Sequence, residues 1–223
     1  MEISLSLLAK GFLLFSHGVV LVPLLLTGFF TKGGFFMDSP TEKGRTDWGN
    51  AIVLVLFTMI FNQFLKSIFL VPLNPALGIH GYAFPSGHMQ VATVFYGFLL
   101  QIYSQTLFRI ILPLIIGGIG FGLIHEGYHN LIDVGGAFVF GGASLFAFAN
   151  LSSISSIRHN PHWIGFILNP IAGLMILGMI LRTGIFIYSG KVWLGLIGFS
   201  LFWRTLDRIV KNKKNQDSPD QFP

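Results

Sequence analysis

Long apolar runs fill most of this chain, and they limit its fold before any motif is considered. A membrane-crossing helix needs about 20 predominantly apolar residues. Seven stretches qualify, at about 5–30, 50–72, 88–107, 109–126, 130–150, 163–182 and 184–206. Hydrophobic residues make up 52% of the 223 positions and charged residues only 10%, whereas a soluble domain carries about 25% charged residues. So few charges cannot cover a globular surface. A soluble enzyme, an intrinsically disordered chain and a nucleic-acid-binding module are therefore excluded. The formal net charge of +5 does not reopen the last of these, because the basic residues are scattered or sit at the ends of apolar runs. With no cysteine, the chain has no disulfide, thiolate zinc site or cysteine nucleophile. The expected fold is an all-α, polytopic transmembrane bundle of about seven spans.

One membrane domain is expected over residues 1–208, with a disordered tail over 209–223 that is polar and ends in proline. The first run reads as a span rather than a cleavable leader. It opens on Met1-Glu2, is too long, and lacks a small-residue cleavage site. The last hairpin can turn at Arg182 or at Lys191. With seven spans, ten of the fourteen Lys and Arg residues fall on the side of the C-terminus. The positive-inside rule then places the C-terminus in the cytoplasm and the N-terminus outside. Trp48 and Trp163, at span starts, read as interfacial anchors. Gly118 and Gly122 form a GxxxG pair, and Gly135, Gly136, Gly141 and Gly142 follow in the next span; they are expected to let helices approach closely.

Ionisable groups inside a membrane are costly and usually functional. Of nine acidic residues, only Glu126 and Asp133 lie between spans in the middle of the chain, beside His125 and His129. The other internal polar cluster is Asn62, Gln63 and Lys66, with Asn62 and Lys66 one helical turn apart. His80 and His88 follow. The topology brings Lys66, His88, His129 and Asp133, from three separate segments, to one membrane face. Taken singly, Lys66 reads as a snorkelling side chain, His88 as a loop histidine, and His129 with Asp133 as a structural pair.

Phe84-Pro85-Ser86-Gly87-His88, followed by Gly127-Tyr128-His129-Asn-Leu-Ile-Asp133, resembles the type 2 phosphatidic acid phosphatase superfamily, which also holds the vanadium haloperoxidases. The family pattern is KxxxxxxRP, PSGH and SRxxxxxHxxxD, and the resemblance covers roughly residues 60–145. It implies a six-helix phosphatase-like core and a metal-independent lipid phosphatase without a cofactor. The implied substrate is a lipid phosphate or diphosphate in the bilayer. His129 would be the nucleophile that forms a phosphohistidine, and Asp133 would orient its ring. His88 would protonate the leaving group as general acid. Lys66, Ser86 and the Gly87 backbone N–H would bind phosphate oxygens. The expected setting is a bacterial inner membrane, with the site facing the periplasm.

Two positions depart from the pattern. Leu73 stands where the first arginine belongs, and Gly122-Leu123 replace the serine and arginine of the third motif. Losing one oxyanion donor costs about a hundredfold to a thousandfold in rate. His80, His125, Asn74 and Arg182 are the available substitutes. A phosphodiester or diphosphate, with less charge at the reacting phosphorus, would need fewer cations. The sphingomyelin synthases keep the two histidines and the aspartate, so head-group transfer is an alternative. A further alternative is an intramembrane zinc metalloprotease, because His125-Glu126-Gly127-Tyr128-His129 matches HExxH. That reading needs one continuous helix over 125–133, whereas the phosphatase reading needs a break before His129. A transporter or a catalytically impaired lipid-phosphate binder completes the set.

Overall fold

The computed structural model describes residues 2–33, 41–78, 80–184 and 186–216. Among these the protein is all-helical. The only strand-like pairing is an isolated bridge between Pro72 and Tyr82. The helices are α1 (Glu2–Leu14), α2 (Gly18–Phe30), α3 (Glu42–Phe69), α4 (Gly87–Ile102), α5 (Thr106–His125), α6 (Leu131–Ser153), the short α7 (Ser155–His159), α8 (Trp163–Thr183) and α9 (Ile187–Gln216). A single 3-10 turn, Pro75–Leu77, lies between α3 and α4. Five described segments are long and apolar enough to cross a membrane: Ser4–Phe30, α3, α5, α6 and α8. The chain is built as a membrane protein.

α3 and α4 form the centre. α3 packs against α2, α4, α8 and α9; α4 packs against α5 and α6; and α1 lies along α5. α3 starts where the Thr41 hydroxyl caps the Gly44 N–H at 2.9 Å. It ends where Leu70 turns left-handed, with φ 53. Its 28 residues give a rod of about 42 Å, enough to carry Trp48 at one end and Lys66 near the other. α8 ends at Gly184, whose φ of 67 makes the turn. The last hairpin therefore reverses at Gly184, and Lys191 lies inside α9. α9 also runs through Gln216, over the first part of the tail that was expected to be disordered from 209. Residues 217–223 lie outside the described residues.

The first apolar run is not one straight helix. Phe15, Ser16 and His17 donate their N–H groups three residues back, to Phe12, Leu13 and Leu14, at 3.0–3.1 Å. The Ser16 hydroxyl also donates to the Leu13 carbonyl at 2.7 Å. The Tyr96 hydroxyl of α4 donates to the Phe15 carbonyl at 2.6 Å. These bonds replace the i→i−4 ladder, so α1 ends and α2 starts afresh after His17.

Glycine contacts explain the close packing only in part. A Cβ on Gly118 would meet the Phe12 ring at 2.3 Å, and one on Gly122 would meet the Ala9 carbonyl oxygen at 2.8 Å. α1 therefore nests on α5 through this GxxxG pair. Gly136 and Gly141 likewise receive Phe84 and Thr93, but Gly135 and Gly142 face open space. Trp48 is not the interfacial anchor its position suggested. It is fully buried, its ring fits against Gly28, and its indole N–H donates to the Tyr103 hydroxyl at 2.9 Å. Trp163 is 44% exposed and lies 5.4 Å from the Arg204 guanidinium, the amphipathic environment an interfacial tryptophan favours.

Candidate functional site

The end of α3, the start of α4 and the α5–α6 connection meet at one end of the bundle. A short hairpin leads into α4. Ala83 N–H donates to Val71 O at 2.8 Å, and Leu73 N–H donates to Gly81 O at 3.0 Å. Two α3 side chains hold the segment that follows and the start of α4. The Lys66 ammonium donates to Tyr82 O at 2.7 Å. The Asn62 amide donates to Pro85 O at 3.1 Å and to Gln90 Oε1 at 2.8 Å. A third tie comes from α6, where Ser86 N–H donates to Asp133 O at 3.1 Å. The Phe84–Pro85 peptide is cis.

Ser86 is the N-cap of α4, but its side chain makes no capping bond. It is fully buried, and its hydroxyl has no hydrogen-bond partner among the described residues. The first-turn N–H groups of any helix lack intrahelical partners and carry the positive end of the macrodipole, which favours an anion. Gly87 also serves the packing around the loop. A Cβ there would stand 3.1 Å from Asn62 Oδ1, so the missing side chain makes room for the amide that pins the loop.

The α5–α6 connection is a tight break. α5 stops at His125. Tyr128 and His129 both donate N–H to Leu123 O, at 3.0 and 3.1 Å, and Gly127 takes φ 72. Asn130 then opens α6 with a reciprocal capping box. Asp133 N–H donates to Asn130 Oδ1 at 2.9 Å, and Asn130 N–H donates to Asp133 Oδ2 at 3.1 Å. The same carboxylate oxygen lies 3.4 Å from His129 Nδ1. That pairing places the ring proton on Nδ1 and leaves Nε2 with its lone pair. The two side chains are only 8% and 4% exposed. Burial, and next the Lys66 ammonium, hold the His129 ring below its ordinary value of 6.5, while Asp133 pulls it upward.

His88, at the second residue of α4, lies within electrostatic reach of His17, His129 and Lys66. Lys66 in turn lies within reach of Asp133. The structure thus brings Lys66, Ser86, His88, His129 and Asp133 together. It also adds His17, which the sequence reading passed over. His17 sits at the α1–α2 break, with its ring centroid 4.9 Å from that of His88 and the planes at 62°. The signal for it was Ser16-His17-Gly18, a polar triplet in the middle of an apolar run.

Three of the four substitutes for the missing arginines are engaged elsewhere. Asn74 caps Ala76 N–H at 3.0 Å. His125 stacks on Phe121, with ring centroids 5.3 Å apart. Arg182 donates to Ile68 O at 3.2 Å. His80 is exposed on the hairpin. Leu123 is 2% exposed in the core, so that position contributes its backbone carbonyl to the break rather than a side chain to the site.

The zinc arrangement required a continuous helix over 125–133, and the break at Gly127 removes it. Glu126 is held instead by α1: it accepts from the Ser6 hydroxyl at 2.8 Å and pairs with Lys10 at 3.6 Å. Among the described residues, no three His, Asp or Glu side chains group as metal ligands. No family model matches the chain, no curated protein matches it, and no solved structure matches it.

Proposed function

We propose that the protein is a membrane lipid phosphatase of the type 2 phosphatidic acid phosphatase kind. It would hydrolyse a lipid phosphate or diphosphate through a phosphohistidine on His129, without a metal. One observation carries the reading. A fully buried Ser86 hydroxyl with no partner among the described residues stands at the N-terminus of α4, on the segment that bears His88 and is tied to Asp133. A cluster of basic and donor groups of this kind suits a phosphoryl group.

The chemistry follows from the groups present. His129 Nε2 attacks phosphorus while its Nδ1–H stays on Asp133, which stabilises the positive charge that develops on the ring. His88 gives a proton to the departing oxygen. Ser86, the first-turn N–H groups of α4 and Lys66 face the charge on the phosphoryl oxygens. Water then breaks the N–P bond, its proton returns to His88, and inorganic phosphate leaves. With Leu73 and Leu123 in place of arginines, the site holds less positive charge than the family pattern. Slow turnover of a dianionic monoester and preference for a less charged phosphorus follow.

The same proposal includes seven crossings in all, with α4 and α9 added to the five apolar segments and a six-helix core around the site. It places the C-terminus in the cytoplasm and the site at the outer, periplasmic face of a bacterial inner membrane.

Purified protein in detergent with a chelator should release phosphate from a lipid phosphate or diphosphate, and His129→Ala and His88→Ala should each abolish release. Activity lost to the chelator and restored by zinc would contradict the reading. Binding of the lipid without any turnover would replace catalysis with lipid-phosphate binding.

A further inference from the structure

His17 is an unusual group to find halfway along the first apolar segment. It caps the start of α2 without a side-chain capping bond, in a break maintained by Ser16 and by Tyr96. The break turns its imidazole onto His88, edge to face at 4.9 Å. Around it the helix surface is apolar and open: Leu14 is 57% exposed and Val19 83%. Such a surface faces lipid in a membrane protein. His17 therefore stands on the bilayer side of His88, while His129 and Asp133 approach from the α5–α6 break.

We propose that His17 is a substrate-binding residue that holds the leaving-group side of the substrate and selects a leaving group carrying its own negative charge. The proposal rests on the phosphatase reading above and adds the specificity of that site. When His129 Nε2 bonds to the terminal phosphorus, the bond from phosphorus to the bridging oxygen breaks, and His88 passes its proton to that oxygen. An alcohol released in this way is neutral and leaves a second imidazole with no charge to bind. A lipid monophosphate released from a lipid diphosphate is still anionic. A second ring N–H beside His88 offers that anion a donor where it forms and where its lipid chain already lies. Water then attacks the phosphohistidine, the N–P electron pair returns to His129, and the water proton goes to His88. The two products are inorganic phosphate and the lipid monophosphate.

His17 is exposed, so replacing it leaves the buried packing intact. The test compares wild type, His17→Ala, His17→Arg and His129→Ala in mixed micelles with chelator, on a polyprenyl diphosphate and on phosphatidic acid. Binding of a non-hydrolysable methylene-bridged lipid diphosphonate is measured alongside. His17→Ala should lower kcat/KM for the diphosphate about tenfold or more, the effect of one charge-assisted hydrogen bond. It should leave phosphatidic acid within about threefold, weaken the diphosphonate to match the diphosphate loss, and be rescued by His17→Arg. Equal loss on both substrates, or no loss on either with unchanged diphosphonate affinity, overturns the role of His17 while His129→Ala still reports on the phosphatase reading. If wild type hydrolyses neither substrate, the phosphatase reading falls, and the role of His17 falls with it.

Discussion

Gly136→Ala tests how the segment that carries Ser86 and His88 is held. An ideal Cβ at Gly136 falls 2.3 Å from Phe84 Cε2 and 2.6 Å from Cζ, whereas carbon atoms pack best at about 3.5–4.0 Å. The Phe84 ring must therefore retreat by more than about 1 Å. It is not free to do so, because it packs edge to face with Phe69 at 4.8 Å and Phe140 at 6.3 Å. The displacement passes to Pro85 and Ser86. Gly135 supplies the control, since a Cβ there meets nothing within 4 Å. Both substitutions gain about 1 kcal/mol of helix propensity, and only Gly136→Ala adds an overpacking cost of about 1–3 kcal/mol. Unfolding of the two variants in one detergent should therefore place Gly136→Ala below Gly135→Ala by about 1–3 kcal/mol. Phosphate release should fall about a hundredfold in Gly136→Ala alone, as a shift of about 1 Å in the reacting groups implies. Phe84→Leu in the Gly136→Ala background should recover part of the stability. Equal stability and equal turnover in the two alanine variants would refute the packing of Phe84 on α6 as the support of the site.

Two further outcomes follow from the same geometry. In the proposed mechanism His129 must be neutral to attack, and burial holds its pKa below 6.5, so the acid limb of kcat/KM, on which His129 gains its proton, should lie below pH 6.5. Asp133→Asn removes the group that raises this pKa, so the acid limb should move further down in pH as the plateau drops. An acid limb centred above pH 7 in a pH–rate profile would contradict this assignment, whereas any alkaline limb reports loss of the His88 proton. Asn62→Leu strands Pro85 O and Gln90 Oε1 in a buried region and should cost about 1–3 kcal/mol in unfolding measurements. Adding Gln90→Leu should return part of that loss, because an apolar pair leaves fewer orphaned groups.

The sequence made the broad fold readable because length and hydropathy act over whole segments. The helices α3, α5, α6 and α8 lie close to the apolar runs that foretold them. What escaped were features set by single contacts. The break at His17 is fixed by Ser16 and by a tyrosine 81 positions beyond Phe15 in the chain, with no proline or strong turn signal to announce it. Trp48 looked like an anchor because it starts an apolar run, but Gly28, distant in sequence, opens a slot that buries it. α9 continues past its apolar part, where Asp207 pairs with Lys211 one turn on, at 2.9 Å. At the site, the meeting of Lys66, His88, His129 and Asp133 was legible from topology alone, since three segments end on one face. The bonds that hold it were not, because Lys66 to Tyr82 O and Ser86 N–H to Asp133 O use backbone carbonyls, which carry no residue signature. Asp133 shows the same limit. Its part in the α6 capping box follows from Asn130 three residues earlier, yet only the geometry shows one oxygen serving both the cap and the His129 ring.

Covalent capture would probe the chemistry most directly. Protein mixed with a lipid substrate labelled at its terminal phosphorus, quenched in alkali to preserve phosphoramidate bonds and then digested, should carry the label on the His129 Nε2 atom. His129→Ala should carry none, and Asp133→Asn should accumulate less. Steady phosphate release with no label on His129, or with the label on another side chain, would contradict a phosphohistidine at this position.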